Sequence, residues 1–87
     1  MVAEPDVILD FVRALVGPDV LSEVEIRTDT SLLGAQLIDS FNVLEIVAFL
    51  EERFSVVIDS GSITEENFDS VNTIVAVVDR MKPRQLS

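Results

Sequence analysis

The sequence predicts an all-α fold: a four-helix bundle of three long helices and one short one, with a long loop between the first and second helices. Three observations predict it. Apolar residues recur at i, i+3, i+4 and i+7 in three separated segments. Helix signals bound these segments, with Pro5 and Asp39 at starts and Gly17-Pro18 and Pro83 at ends. Alternation of apolar and polar residues is brief: Val24-Glu25-Ile26 is too short for a strand and has no obvious partner.

The first helix is expected over Asp6–Val16, started by Pro5 and stopped by Gly17-Pro18, with Ile8, Phe11, Val12 and Leu15 on one face. From Asp19 to Ile38 runs a connection unusually long for a small domain. Its scattered Val20, Leu21, Val24, Ile26, Leu32, Leu33 and Leu37 suggest a loop packed down on the bundle, with a turn at Gly34. The strongest helix is expected over Ser40–Phe54, capped by Asp39. Its Val43, Ile46, Val47, Leu50 and Phe54 fall within about 100° of one another, the width of a core-facing stripe. The segment Ser55 to Thr64 reads as a loop, and Thr64 as the cap of a short turn through Phe68. Asp69 or Ser70 then caps a last helix, Val71–Met81, with Ile74, Val75, Val78 and Met81 inward. Arg80, Lys82 and Arg84 gather where the helix dipole favours cations.

With 87 residues the chain is expected to form one domain over 1–87, of radius of gyration about 12 Å, with residues 83–87 as a short tail. A hydrophobic content of 48% is too high for charge-driven disorder. The longest apolar runs, Ile46–Leu50 and Ile74–Val78, are far too short to span a membrane. Glu4 and Asp6 stand where a signal peptide would be basic. The default compartment is therefore the cytoplasm, and the expected state a monomer.

Function classes fall away on composition. The chain has no His and no Cys, so neither a His-dependent nucleophile system nor an ordinary zinc site is expected, and no disulfide framework. A net charge of −10 opposes nucleic acid and anionic membrane surfaces as partners. Three glycines make no phosphate-binding loop or dinucleotide fingerprint, and the Asp59-Ser60-Gly61-Ser62 stretch misplaces glycine for an EF-hand. Glu51 and Glu52 diverge by about 100° on a helix and cannot share a substrate as an acid–base pair. No catalytic residue and no metal ligand set is assigned.

The charge is concentrated. Nine acids and one base, Arg53, lie between Asp29 and Asp69, a net charge of −8. This reads either as a solvated face or as a docking surface for basic partners. On the helical wheel Phe41 and Phe49 lie about 40° to either side of Glu45, on the charged side and opposite Val47 and Phe54. Phe41, Glu45 and Phe49 thus form an i, i+4, i+8 stripe. At least one ring is expected to be covered, by the long loop or by the short third helix; Phe41, at the helix start, suits an interaction patch.

Ser40 lies in the first turn of the same helix. It is either a capping alternate to Asp39 or, at a helix N-terminus with free amides and a favourable dipole, a serine suited to carry a phosphate ester. The surrounding residues carry a resemblance. Leu37-Ile38-Asp39-Ser40-Phe41, the helix Leu44-Glu45-Ile46-Val47-Ala48-Phe49-Leu50-Glu51-Glu52-Arg53-Phe54, and Phe68-Asp69-Ser70-Val71-Asn72-Thr73-Ile74 resemble the acyl and peptidyl carrier protein family over essentially the whole chain. The resemblance implies a 4'-phosphopantetheine arm on Ser40, with Asp39 as motif residue and cap, and cargo held as a thioester on the arm. It implies no catalysis by the protein itself. Partners would be a phosphopantetheinyl transferase, a loading enzyme and a downstream synthase or transferase. The wheel and the resemblance together put docking on Phe41, Glu45, Phe49 and Glu52.

Leu37 replaces the glycine usual in fatty-acid carriers, and Arg53 stands where many of them are acidic. The pattern is closer to free-standing D-alanyl or aminoacyl carriers and to discrete carriers of polyketide or nonribosomal peptide biosynthesis. Many of those have Gly where this chain has Gln36, and Gln adopts positive φ less cheaply, so the turn into Ser40 is expected to differ. The expected function is thus a discrete acyl or aminoacyl carrier. The alternative is an unmodified acidic helical interaction module docking through Phe41, Glu45 and Phe49.

Overall fold

The computed structural model describes residues 3–83. In chain order these form α1 (Pro5–Val16), α2 (Pro18–Leu21), α3 (Ser40–Phe54), β1 (Val56–Val57), a 3-10 turn (Ser60–Ser62), α4 (Val71–Arg80) and β2 (Lys82–Pro83). The described protein is mostly helical, as the all-α expectation requires, and its radius of gyration is 12.6 Å.

Local chemistry accounts for the helix ends. Pro5 opens α1, and Gly17 closes it at φ 94°, donating its N–H to Arg13 O. A side chain at that φ would be strained. Pro18 follows at the first position of α2, where its missing N–H costs nothing. Gly17-Pro18 therefore ends one helix and starts another. This corrects the expected position of the short helix: it lies at Pro18–Leu21, and Thr64–Phe68 is a turn. There Thr64 Oγ1 accepts from the Asn67 N–H at 3.1 Å, and the Phe68 N–H bonds back to Thr64 O.

The α3 boundaries are those expected. Asp39 and Asn42 form a capping box, each side chain accepting the other's backbone N–H at 3.0 Å. At α4, Ser70 rather than Asp69 is the cap, in a reciprocal box with Thr73. This helix stops at Arg80, and the chain then pairs antiparallel with the segment leaving α3, Val56 with Pro83 and Val57 with Lys82. The start of the expected tail is therefore a rung of a small ladder; Arg84–Ser87, like Met1 and Val2, lie outside the described residues.

α1 packs against α2, α3 and α4. Ile8 and Val12, Ile46 and Leu50, and Val71, Ile74 and Val77 meet in the centre with Phe68, all 0% exposed. The stretch 22–39 has no regular structure but supplies buried Ile26, Leu32 and Ile38 to the same core. Its backbone is tied beside the first of these: the Arg13 guanidinium donates to Ile26 O at 2.8 Å, and the Asn72 N–H donates to Thr28 O at 2.9 Å. It is a packed loop, as its scattered apolar residues suggested.

Residues 32–37 close in a Schellman-type turn. The Leu37 N–H donates to Leu32 O at 2.8 Å and the Gln36 N–H to Leu33 O at 3.0 Å. Gln36 holds the left-handed position, φ 60°, where glycine is usual. The chain thus makes the glycine turn with a glutamine. Gln36→Gly is expected to raise unfolding stability by about 0.5–1 kcal/mol, measurable as a shift in urea midpoint without a change in slope.

Candidate functional site

Three segments converge on the N-terminus of α3. The turn at Leu33 and Gly34, the first turn of α3, and the stretch from Ile63 to Asp69 enclose an open groove of about 970 Å³. Ser40 is exposed on its lip, beside Asp39. Val43 is buried, Leu33 and Ile63 are half-buried, and the exposed Glu65 and Glu66 add charge. An apolar lining with acids around it is the result.

Ser40 occupies the first residue of α3. In that first turn the Asn42 N–H goes to Asp39 Oδ1 and the Val43 N–H to Asp39 O. The N–H groups of Ser40 and Phe41 have no partner among the described residues. Two free donors at the positive end of a 15-residue helix, next to an exposed hydroxyl, fit a phosphodiester carried on Ser40. The adjoining groove has room for a pantetheine-sized chain. Asp39 adds a negative charge, but its carboxylate is engaged with Asn42.

The proposed docking residues divide. Phe41 is 67% exposed, and so is Leu44, at 57%, one turn further on. Both border the groove. Sequence reasoning passed over Leu44, which sits on the wheel between the acidic face and the core stripe; its i+3 spacing from Phe41 was the available signal. Phe49 is covered, but by α1: its ring stacks on Phe11 with centroids 4.0 Å apart and an 11° interplanar angle. Glu52 is exposed; Glu45 is half-exposed and accepts from Asn42 Nδ2 at 3.0 Å. Glu51 accepts from the Ile58 N–H at 2.9 Å and so braces the chain after α3. Arg53 reaches Glu4 at 3.6 Å and lies 5.5 Å over the Phe54 ring, toward α1.

Of the two cap candidates for α4, Ser70 takes the cap, and Asp69 has a different role. It is not a helix cap. Its carboxylate accepts from the Gly34 N–H at 3.1 Å, the Leu33 N–H at 3.0 Å and the Ser31 hydroxyl at 2.8 Å. The Gly34 amide, then the Ser31 hydroxyl, hold its pKa below the ordinary aspartate value, against partial burial, with Leu33 adding to the lowering. A carboxylate with a lowered folded pKa stabilises the fold fully above its unfolded value, about pH 4, and loses that contribution as pH falls through the folded value. Asp69→Asn is therefore expected to lower stability at pH 7 by about 1.5 kcal/mol, the low end for bonds to a charged group that solvent reaches. The gap to wild type should shrink below about pH 4; a gap constant from pH 7 to pH 3 in urea titrations would contradict the assignment.

No protein-family model matches the chain, and no curated protein gives a significant match. Among the described residues no helix is long and apolar enough to cross a membrane, and no cluster of His, Cys, Asp or Glu is arranged to hold a metal ion.

Proposed function

We propose that the protein is a discrete carrier whose three long helices and short α2 form a carrier-type bundle, and that Ser40 bears a 4'-phosphopantetheine arm. The observation that carries this reading is the exposed Ser40 at the N-terminus of α3, beside two free amides and an apolar groove. In the modification Ser40 Oγ attacks the pantetheine-bearing phosphorus of coenzyme A. The P–O–P bond breaks, adenosine 3',5'-bisphosphate leaves, and the hydroxyl proton passes to the transferase. The arm, once attached, supplies a thiol that holds an acyl or aminoacyl group as a thioester. The chain's own part is to present that serine and to be recognised. It catalyses no step, which suits a sequence without His or Cys.

Recognition falls to Phe41 and Leu44, exposed beside Ser40, and to Glu45 and Glu52 along the same helix, facing basic surfaces on a transferase, a loading enzyme and a downstream synthase. Phe49, stacked on Phe11, orients that helix against α1. A monomer in the cytoplasm, serving polyketide, nonribosomal peptide or aminoacyl-transfer chemistry, is the setting we infer. Intact mass after incubation with coenzyme A and a broad-specificity phosphopantetheinyl transferase tests the reading. A wild type that gains no mass would overturn it and leave the unmodified interaction module, docking through Phe41, Glu45 and Phe49.

Docking makes its own prediction. Glu52 is exposed and free of the Asn42 bond that ties Glu45, so Glu52→Lys tests charge without disturbing the cap. The variant should be modified several-fold more slowly at about 10 mM ionic strength and nearly normally at about 500 mM. Equal slowing at both would contradict electrostatic docking.

A further inference from the structure

We infer that Asp69 is a positioning residue for the modification of Ser40, acting through the turn that leads into α3. The inference rests on the carrier reading and adds to it a residue twenty-nine positions away in sequence.

The connection is continuous in the backbone. One carboxylate holds the Ser31 hydroxyl and the amides of Leu33 and Gly34. The carbonyl of Asp69 accepts the Leu32 N–H as well, so four groups of the turn end on this one residue. Leu32 O in turn accepts from the N–H of both Leu37 and Ile38. Asp39 follows immediately, with its capping box, and then Ser40. Few bonds separate the Asp69 clamp from the serine, and each is made by backbone or by a short side chain.

Two features show that the clamp sits under close constraint. Gly34 approaches so near that a Cβ there would stand 2.3 Å from Ser31 Oγ, the hydroxyl that the carboxylate holds. Gln36, at φ 60°, keeps a left-handed conformation that costs a non-glycine residue free energy, and persists because the surrounding bonds require it. Asp69 also lines the groove that Ser40 borders. Its own position is set by the adjoining Ser70 cap of α4. Asp69 thereby ties the turn before α3 to the start of α4, and the serine is placed relative to α4. A transferase that must bring Ser40 Oγ in line with a phosphorus is sensitive to such placement, since displacement of about 1 Å can cost up to about 100-fold in rate.

The test measures transfer from coenzyme A to wild type, Asp69→Asn, Asp69→Glu and Ser31→Ala by intact mass at varied protein concentration, with thermal melts to confirm that each is folded. Asp69→Asn is expected to lower kcat about tenfold with the KM for the carrier little changed, Ser31→Ala to lower it less, and Asp69→Glu to recover part of the loss. Amide exchange at Leu33, Gly34, Leu37 and Ile38 should speed up together in Asp69→Asn while the core of α4 stays protected. Should Asp69→Asn not fold, Ser31→Ala, which removes one hydroxyl of the clamp, decides in its place. A folded Asp69→Asn variant modified with wild-type kcat would overturn the inference and leave the carrier reading standing. A wild type that is never modified would overturn both.

Discussion

Ser40→Ala is expected to stay folded and to gain no mass where the wild type gains one phosphopantetheine. The loss is all-or-none, because the substitution removes the atom on which the proposed arm would be carried. Stability should change by less than about 0.5 kcal/mol: Ser40 is exposed, and the cap of α3 is provided by Asp39 and Asn42. The pair of measurements, a melting curve and an intact mass, separates loss of the attachment atom from loss of the fold. A Ser40→Ala protein that still gains the mass would mean that another hydroxyl is modified. The exposed Thr64 lines the groove and would be the next to substitute.

Phe68→Ala should come close to unfolding the protein. Phe68 is the largest fully buried side chain, and truncating such a residue costs about 3–5 kcal/mol. Domains of this size hold only about 5–15 kcal/mol in total. A large fall in urea midpoint is expected. Phe68→Leu, which leaves a smaller cavity, should lie between the variant and wild type. Phe41→Ala is the natural control: at 67% exposure it should leave the midpoint almost unmoved. If Phe68→Ala and Phe41→Ala destabilised alike, the placement of the core would be wrong.

The comparison of these two phenylalanines shows what a sequence can and cannot convey. Helical periodicity located α1, α3 and α4 within one or two residues, because spacing, prolines and caps are local properties. Asp39 as a cap and Ser40 at the helix start follow from the same local chemistry. Phe68, at the end of a non-periodic stretch, carried no pattern to mark it as the centre of the core. Phe49 sat on the charged side of its wheel, and the Phe11 ring from α1 stacks on it. The one-turn α2 was missed since four residues are too few to show a period, and Gly17-Pro18 reads equally as a stop and as a start.

What the sequence by itself determined is the helical class, the extent of the second long helix, the accumulation of acids along it and the serine at its head. All of these depend on neighbours in the chain. The tertiary structure alone decided which aromatic ring is free to meet a partner, that Leu44 joins it, and that Asp69 faces the loop rather than capping its helix. Those depend on side chains brought together from distant positions: the four donors that Asp69 gathers from residues 31–34 lie thirty-five or more residues before it, and no periodicity links them.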